Sequence, residues 1–309
     1  MTSRYIIVVV LVMFLWAICF PLITLGINDA PHLTFATMRA VLAGATLLAI
    51  AYCLGRPMPK GAGVWGVIAS IGFGATTLGF FGMFHAAEFV APGLATVIAN
   101  TQPLMAALMA YLFLRESLGG RGKTGLLLGF IGIVVIAAPG FGDGGSPNQL
   151  LGIAYIILAA FGITASNVLI KRLGTRADPL MAMGWQMVIG SIPLAGIALI
   201  TDADSKIVFS DQFVFSLLSL SFAGTALVYW LWSMILRDVE LNRANAFSFL
   251  IPIFGLSMGL IFFNESLGWI QVFGIALSLL GIYLVNSSKA PTVNAQPIRK
   301  DLISTQVKD

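Results

Sequence analysis

The stretch NTQPLMAALMAYLFLRESL at residues 100–118 returns in altered form as FLIPIFGLSMGLIFFNESL at residues 249–267. In each copy a proline, Pro103 or Pro252, precedes the triplet Glu-Ser-Leu by the same spacing. The copies are offset by 149 residues (252 − 103 and 265 − 116). Both are apolar enough to lie in a membrane, and each proline is a point where a helix can break. Paired, proline-interrupted apolar segments in two halves of a chain are typical of transporters with a substrate site between the halves.

The composition indicates that the solvent of this chain is a lipid bilayer. Of its 309 residues, 58% are hydrophobic and 10% are charged, whereas a soluble domain carries roughly a quarter charged residues. The net charge of +4 comes from basic residues scattered over short loops, so no nucleic-acid partner is expected. Cys19 and Cys53 lie in apolar runs, where we predict that they pack as small apolar side chains.

Apolar segments recur along the chain at the length that a membrane-spanning helix requires. We predict an all-α integral membrane protein with ten transmembrane helices at residues 5–26, 33–54, 62–85, 91–113, 121–138, 150–172, 179–201, 211–236, 243–263 and 268–286. The first segment is read as a retained helix, because no Ala-x-Ala cleavage site follows it. Residues 287–309 are too polar to fold alone and are predicted to form a disordered cytoplasmic tail.

Basic residues fall on one side of these ten spans, and short cytoplasmic loops are the ones that retain lysine and arginine. That side receives Arg4, Arg56, Lys60, Arg115, Arg121, Lys123, Lys171, Arg172, Arg176, Arg237, Arg243 and the basic residues of the tail. Lys206 is the one basic residue predicted on the opposite side, which also receives most of the acidic loop residues. We therefore predict a multi-pass protein of the cell (inner) membrane with both termini cytoplasmic.

The two copies are predicted to have opposite orientations in the membrane. The ninth helix comes five spans after the fourth, and because five is odd, the pattern is an inverted repeat. We assign residues 1–138 to the first five-helix repeat, residues 139–149 to a Gly- and Pro-rich connecting loop, and residues 150–286 to the second. Further matches at the same offset pair Gly125 with Gly274 and Gly132 with Gly281. Nearer the start of each copy, the offset falls to 147 (186 − 39) and aligns Arg39 with Gln186.

Several of these features together resemble the EamA family of the drug/metabolite transporter superfamily, over residues 5–285. The features that carry the resemblance are Trp16-x-x-x-Phe20, Arg39, the run from Ala95 through Asn100 to Pro103, Glu116-Ser117-Leu118, and Gly125-x-x-x-Gly129-x-x-Gly132. The resemblance implies ten helices in two repeats around a central cavity, used to export small metabolites by alternating access. Members of that family carry amino acids, other metabolites or drugs, so the resemblance does not specify a substrate.

Pro103 and Pro252 are predicted to remove one backbone hydrogen bond each near the middle of a span, exposing the carbonyl groups of Ala99 and Ser248. Such groups cannot face lipid. Either neighbouring polar side chains satisfy them at a structural kink, or they line a polar cavity. Polar candidates close to the two prolines are Asn100, Gln102, Asn245 and Ser248.

Arg39 is the only basic residue placed well inside a predicted span, and an intramembrane charge is a functional hypothesis by default. It could attract a carboxylate or phosphate group of a substrate. Alternatively, it could have a structural role, either by reaching the membrane surface or by pairing with Asp29, Glu88 or another outer acid.

Aromatic and polar side chains inside the spans complete the candidate cavity. Each could instead pack against lipid or bond between helices. The candidates of this kind are Trp16, Phe20, Thr77, Asn167, Gln186, Tyr229 and Trp230. Glu116 and Glu265 adjoin helix starts and are expected to cap free backbone amides there.

The sequence favours a monomeric secondary transporter, an exporter of amphipathic solutes such as amino acids, over two alternatives. A channel would call for rings of like charge, and an enzyme for a catalytic motif; the only suggestive constellation is His85-x-x-Glu88. We predict no catalytic residue, metal or cofactor. Because no span contains a central Asp or Glu, uniport or facilitated efflux competes with proton antiport.

Overall fold

A computed structural model describes residues 2–86, 89–90, 95, 98–138, 148–202, 206–263 and 268–288, and the structured elements within these ranges are helices. In chain order they are α1 (Ser3–Gly26), α2 (His32–Cys53), α3 (Ala62–Ala86), α4 (Gln102–Leu114), α5 (Gly120–Ala137), α6 (Gln149–Leu173), α7 (Pro179–Thr201), α8 (Asp211–Asp238), α9 (Leu241–Ala246), α10 (Leu250–Phe263) and α11 (Trp269–Ser287).

Eight of the described helices are long and apolar enough to cross a membrane: α1, α2, α3, α5, α6, α7, α8 and α11. Large apolar side chains cover the outside of the bundle. Examples are Leu150 and Ile200, each 82% exposed. Such a surface would make a soluble protein aggregate, whereas lipid solvates it. The chain is therefore a multi-pass membrane protein.

The predicted fourth and ninth spans are broken rather than continuous in the described residues. A turn at Asn100 and Thr101 precedes α4, and a short 3₁₀ segment, Phe247–Phe249, separates α9 from α10. The full count of ten spans stays a prediction, because α4 and α10 are shorter than the eight helices that are long enough to cross a membrane.

Pro103 is the second residue of α4 and Pro252 is the third residue of α10, so each lies in the first turn of an α-helix. Their place near the middle of a membrane span stays a prediction. The first turn is where proline is tolerated best, because the amides of that turn have no partner within the helix. The backbone amides of Leu104 and Met105 then bond to the carbonyl of Thr101, 3.0 and 3.1 Å away, which closes the first turn of α4.

Small residues bring α5 and α11 into backbone contact. A Cβ atom added to Gly125 would lie 2.8 Å from the carbonyl oxygen of Gly281, and one added to Gly132 would lie 2.7 Å from that of Gly274. Contacts this short require glycine on both helices. Because residue numbers rise along one helix as they fall along the other, α5 and α11 are antiparallel.

The same antiparallel arrangement is found between α2 and α7. Asp202, at the end of α7, accepts hydrogen bonds from the backbone amide and the hydroxyl of Thr34, at the start of α2, each at 2.9 Å. Further along, a Cβ atom added to Gly44 would lie 3.0 Å from the carbonyl oxygen of Gly184. These two helices also contain the aligned residues Arg39 and Gln186.

Two helices contain a π-helical segment at matching places in the sequence repeat. The segment in α3 is Gly72–Leu78, and the segment in α8 is Phe222–Leu227. At the 149-residue offset, Thr76 aligns with Thr225 (225 − 76). A π segment widens the helix locally and is frequent at functional sites. The candidate site contains both threonines.

Candidate functional site

Arg39 is the best-defined polar centre inside the bundle. It is 5% exposed, and its Nε atom donates a hydrogen bond to Oγ1 of Thr225 at 2.6 Å. Its Nη2 atom lies 3.3 Å from the carbonyl oxygen of Gly224 and 3.6 Å from Sγ of Cys19. The guanidinium group also lies over the ring of Phe80, 5.1 Å from its centroid. Arg39 therefore joins α1, α2, α3 and α8.

Neither structural role proposed from the sequence describes these contacts. Arg39 is buried rather than extended to the membrane surface, and Asp29 accepts from the hydroxyl of Ser210 instead. Glu88 lies outside the described residues. The backbone carbonyl accessible to Arg39 belongs to the π segment of α8, where the regular helical bonding pattern is interrupted.

Gln186 forms the counterpart of this centre on α7. It is fully buried, and its Oε1 atom accepts a hydrogen bond from Oγ1 of Thr76 at 3.0 Å. Its Nε2 atom has no hydrogen-bond partner in the described residues. The neighbouring Thr77 donates to the carbonyl oxygen of Gly190 at 2.7 Å. The hydroxyl of Thr77 thus joins α3 to α7. The Nε2 group of Gln186 is a buried donor that requires a ligand or a water molecule as its acceptor.

Three aromatic rings connect α1 with α8. Trp16 meets Tyr229 with ring centroids 6.3 Å apart and Trp232 with centroids 5.4 Å apart, both edge to face. Nε1 of Trp232 donates to Oδ1 of Asn167 on α6 at 2.9 Å. Tyr229 and Asn167 are buried, and Trp230 packs against the surrounding apolar core at half-buried depth. The side chain of Phe20 is outside the described side chains.

The broken helices hold the remaining candidates. Asn100 and Pro103 are buried beside a half-buried Gln102, and Pro252 is buried at the start of α10. Asn245 is 3% exposed, and its Nδ2 atom has no partner among the described residues; the same holds for Oγ of Ser248. Buried donors without partners are rare in folded proteins, so these groups are suited to face a polar ligand or water.

Glu116 connects the α4–α5 loop to the other half of the chain. Its Oε1 atom forms an ion pair with Nζ of Lys171 at 3.3 Å, and its Oε2 atom accepts from the backbone amide of Asn242 at 3.5 Å. Burial raises the pKa of Glu116, and the nearby Lys171 opposes that shift. The predicted capping role is thus directed at α9, not at the helix that follows Glu116. Glu265 lies outside the described residues.

Sequence reasoning missed the partners of Arg39. Cys19 was expected to be a packing residue, but its thiol accepts from Arg39 and donates to the carbonyl oxygen of Leu15 at 3.3 Å. Phe80 was not singled out. The sequence contained one signal for these partners. Thr76 and Thr225 are aligned at the repeat offset of 149 residues, close to the offset of 147 that aligns Arg39 with Gln186.

A small cavity lies apart from these residues. It measures about 10 Å³ and is lined by the ends of α6, α7 and α8, including Leu173, Pro179 and Arg237. This volume suits one water molecule rather than a metabolite. The described residues contain no cluster of three or more His, Cys, Asp or Glu side chains suited to a metal.

The match to a family model extends over both halves. The model of the EamA-like transporter family matches residues 3–138 and again residues 150–287. The chain belongs to the EamA-like transporter family. A crystal structure at 17% identity shares the fold, with a TM-score of 0.80 over 92% of this chain and 96% of that one.

Curated relatives agree with this membership. A WAT1-related chloroplast protein of Arabidopsis thaliana is 32% identical over 81% of the chain, which spans 62% of that longer relative. An uncharacterized transporter of Synechocystis is 29% identical, over 92% of the chain and 90% of the relative. A probable amino-acid metabolite efflux pump of Escherichia coli is 25% identical, over 89% and 92%.

Proposed function

We propose that this EamA-like chain is a secondary transporter that exports small metabolites across the cell (inner) membrane by alternating access. In this proposal it has ten spans arranged as two inverted five-helix repeats, residues 1–138 and 150–286, with both termini cytoplasmic and a monomer as the working unit. The observation that carries the proposal is the pair of repeat-related hydrogen bonds, Arg39 to Thr225 and Thr76 to Gln186.

These two bonds support an inverted repeat because each one crosses between the halves. Arg39 reaches from the first half to a threonine of the second, and Gln186 reaches from the second half to the aligned threonine of the first. The antiparallel packing of α5 with α11 and of α2 with α7 supports the same arrangement, because each is a pair of repeat-equivalent helices. Two halves that exchange contacts this way can rock about a site between them.

The substrate that these groups fit best is an amphipathic carboxylate, such as an amino acid. Arg39 supplies a cation in a buried setting, and Gln186 and Asn245 each supply an unpaired N–H donor. A carboxylate accepts hydrogen bonds only, so it complements donors of this kind. Trp16 and Tyr229 offer apolar ring surface for the rest of the molecule. The name of the Escherichia coli relative, an efflux pump for amino-acid metabolites, supports the same class.

Energy coupling is the second part of the proposal. Of the residues in the eight described spans, Arg39 is the buried charged side chain, and no buried Asp or Glu accompanies it there. The charges in these spans therefore fit either facilitated efflux or proton antiport as the mode of energy coupling. A passive channel is the alternative function, and an intramembrane enzyme is a further one.

Counterflow in proteoliposomes tests this function. The purified chain is reconstituted and loaded with a mixed pool of amino acids and small metabolites, and exchange of labelled solutes is measured with and without an imposed pH gradient. Saturable exchange supports a carrier and identifies its solutes, and dependence on the gradient adds proton coupling. Flux that never saturates favours a channel. No flux of any compound with folded protein argues against the proposal.

A further inference from the structure

Three polar residues with buried, unpartnered atoms follow one another along the predicted ninth span. They are Asn242 and Asn245 in α9 and Ser248 in the 3₁₀ segment Phe247–Phe249. The two asparagines are each 3% exposed. Oδ1 of Asn242, Nδ2 of Asn245 and Oγ of Ser248 have no hydrogen-bond partner among the described residues. Three such atoms in one short segment are unusual, because buried polar groups in folded proteins are almost always paired.

The spacing of three residues places these side chains on one side of the segment. In an α-helix, residues i and i+3 are neighbours on the helix surface, and in a 3₁₀-helix their side chains eclipse. The change from α9 to the 3₁₀ segment therefore keeps Ser248 in line with Asn245. Successive members lie about 4.5–6 Å apart along the axis. We call Asn242, Asn245 and Ser248 the polar row.

The first repeat has no counterpart of the polar row. At the repeat offset of 149 residues, the polar row aligns with Gly93, Thr96 and Ala99 (242 − 93, 245 − 96 and 248 − 99). None of these three residues contains an amide side chain. The helix break, which both repeats contain, therefore does not require the amides of the polar row. Their presence favours a role that is specific to the second repeat.

A carboxylate adjoins one end of the polar row. Oε2 of Glu116 accepts from the backbone amide of Asn242 at 3.5 Å, and Oε1 pairs with Nζ of Lys171 at 3.3 Å. Lys171 also donates to the carbonyl oxygens of Leu236 and Val239, at 3.3 and 2.5 Å, so its three contacts match its three N–H groups. The two carboxylate oxygens, with about four lone pairs between them, keep acceptor capacity. Acceptors are therefore in surplus at this end, which suits a cation.

We propose, on the basis of the transport function above, that the polar row and Glu116 form a subsite for the charged head of a zwitterionic α-amino acid. The ammonium group lies between Glu116 and Oδ1 of Asn242, and the carboxylate accepts from Nδ2 of Asn245 and Oγ of Ser248. Both charged groups of an α-amino acid are bonded to one carbon atom, so they fit the step of about 4.5 Å from Asn242 to Asn245. The subsite is separate from Arg39, whose contacts lie on α1, α3 and α8.

Three related solutes test the subsite on the purified full chain. They are L-leucine, 4-methylpentanoate, which is leucine without its amino group, and 3-methylbutylamine, which is leucine without its carboxylate. Binding is measured as the rise of the thermal unfolding midpoint with solute concentration. We expect L-leucine to bind at least tenfold more tightly than either analogue, because each analogue leaves part of the polar row unpaired. Equal binding of L-leucine and 4-methylpentanoate, or no binding of L-leucine, overturns the proposal.

Replacement of each asparagine by leucine separates a ligand subsite from a purely structural row. Asn242→Leu and Asn245→Leu remove buried polar atoms without partners, so neither is expected to lower the unfolding midpoint measured without solute. Both are expected to weaken binding of L-leucine at least tenfold, whereas Asn242→Leu leaves binding of 4-methylpentanoate unchanged. Asn286→Leu is the matched control and leaves all binding unchanged, because Asn286 also buries an unpartnered Oδ1 but lies on α11. If a leucine variant fails to fold, the comparison of the three solutes on the wild-type chain still decides.

Counterflow distinguishes a failed subsite from a failed transport function. If the wild-type chain exchanges L-leucine saturably and both asparagine variants exchange it equally well, the subsite is overturned and the transport function stands. If the three solutes bind in the expected order but no solute is exchanged, the subsite is supported and the transport function fails. A loss of L-leucine binding that Asn286→Leu shares in full assigns the effect to general damage to the bundle and overturns the subsite.

Discussion

Arg39 on α2 donates a hydrogen bond to Thr225 on α8, 2.6 Å away and 186 residues further along the chain. The sequence repeat provides the matching bond between Thr76 and Gln186, so a guanidinium group in one half corresponds to a neutral amide in the other. The threonine accepts in the first bond and donates in the second, and only the first bond brings a charge into the bundle. A site between the two halves is therefore charged on the side of the first repeat and neutral on the side of the second.

Arg39→Gln places the same amide in both halves and is expected to change selectivity. If Arg39 attracts the carboxylate of a solute, export of anionic solutes should fall at least tenfold, while export of neutral solutes changes little. The measurement is counterflow in proteoliposomes for both solute classes, with the amount of folded protein matched by size-exclusion chromatography. An equal loss for the two classes would show that Arg39 is structural.

Thr76→Val is expected to destabilise the bundle. The substitution keeps the shape of the side chain but leaves Oε1 of the fully buried Gln186 without a donor, which costs about 1–3 kcal/mol. Thr76→Ser keeps the hydroxyl and serves as the matched control. Thermal unfolding in detergent should show a lower midpoint for Thr76→Val and a near-normal one for Thr76→Ser. Equal midpoints for all three chains would remove the hydrogen bond as a source of stability.

The sequence predicts most of the helices because hydrophobic length alone determines them. Of the ten predicted spans, the segments corresponding to α1, α2, α3, α5, α6, α7, α8 and α11 were placed within a few residues of their observed bounds. The breaks before α4 and α10 were placed less well. Proline shows that a helix is interrupted, but whether it kinks the helix or starts a new one depends on backbone bonds made by its neighbours.

The partners inside the site were harder to predict, because they depend on tertiary packing. Arg39, Gln186 and Thr77 could be nominated as polar residues in apolar segments. Arg39 donates hydrogen bonds to Thr225 and Cys19 because α8 and α1 approach α2, and because α8 contains a π segment. No hydropathy pattern indicates either feature. The repeat offset that aligns Thr76 with Thr225 was the one signal in the sequence.

Gly281→Ala is expected to disrupt the contact between α5 and α11. The added methyl group would lie 2.6 Å from the carbonyl oxygen of Gly125 and from the amide nitrogen of Gly129, so backbone must shift, at a cost of about 1–3 kcal/mol. Gly196→Ala in α7 is the control, because nothing lies within 4 Å of its added methyl group. Alanine is the better helix former there. Thermal unfolding should separate the two variants in opposite directions; a higher midpoint for Gly281→Ala would contradict the close approach.

Pro103→Ala and Pro252→Ala are expected to impair transport while leaving membrane insertion intact. Pro103 follows the turn at Asn100 and Thr101, and Pro252 follows the 3₁₀ segment Phe247–Phe249. Alanine at either position permits a regular α-helix to continue through these irregular residues. Insertion and folding are measured by the monodispersity of the purified chain, and transport by counterflow. Unchanged flux in both variants would show that the breaks do not need proline and would weaken the cavity interpretation.

Glu116→Gln is expected to change how stability depends on pH. Burial raises the pKa of Glu116, so the folded chain holds that proton more tightly than the unfolded chain does. Below about pH 4.3, the ordinary glutamate pKa, the wild-type carboxyl group is neutral in both states. As the pH rises from there through the raised folded pKa, the wild type should lose stability relative to Glu116→Gln, and the difference should level off above it.

Thermal unfolding midpoints of both chains across pH 4–8 measure this difference. The salt contact with Lys171, 3.3 Å away, acts in the opposite direction, because it favours the charged carboxylate. If the wild type instead gains stability relative to Glu116→Gln as the pH rises, the attraction of Lys171 exceeds the cost of burial and the pKa of Glu116 is lowered. Lys171→Met removes that attraction and should enlarge the expected loss of stability, which separates the two contributions.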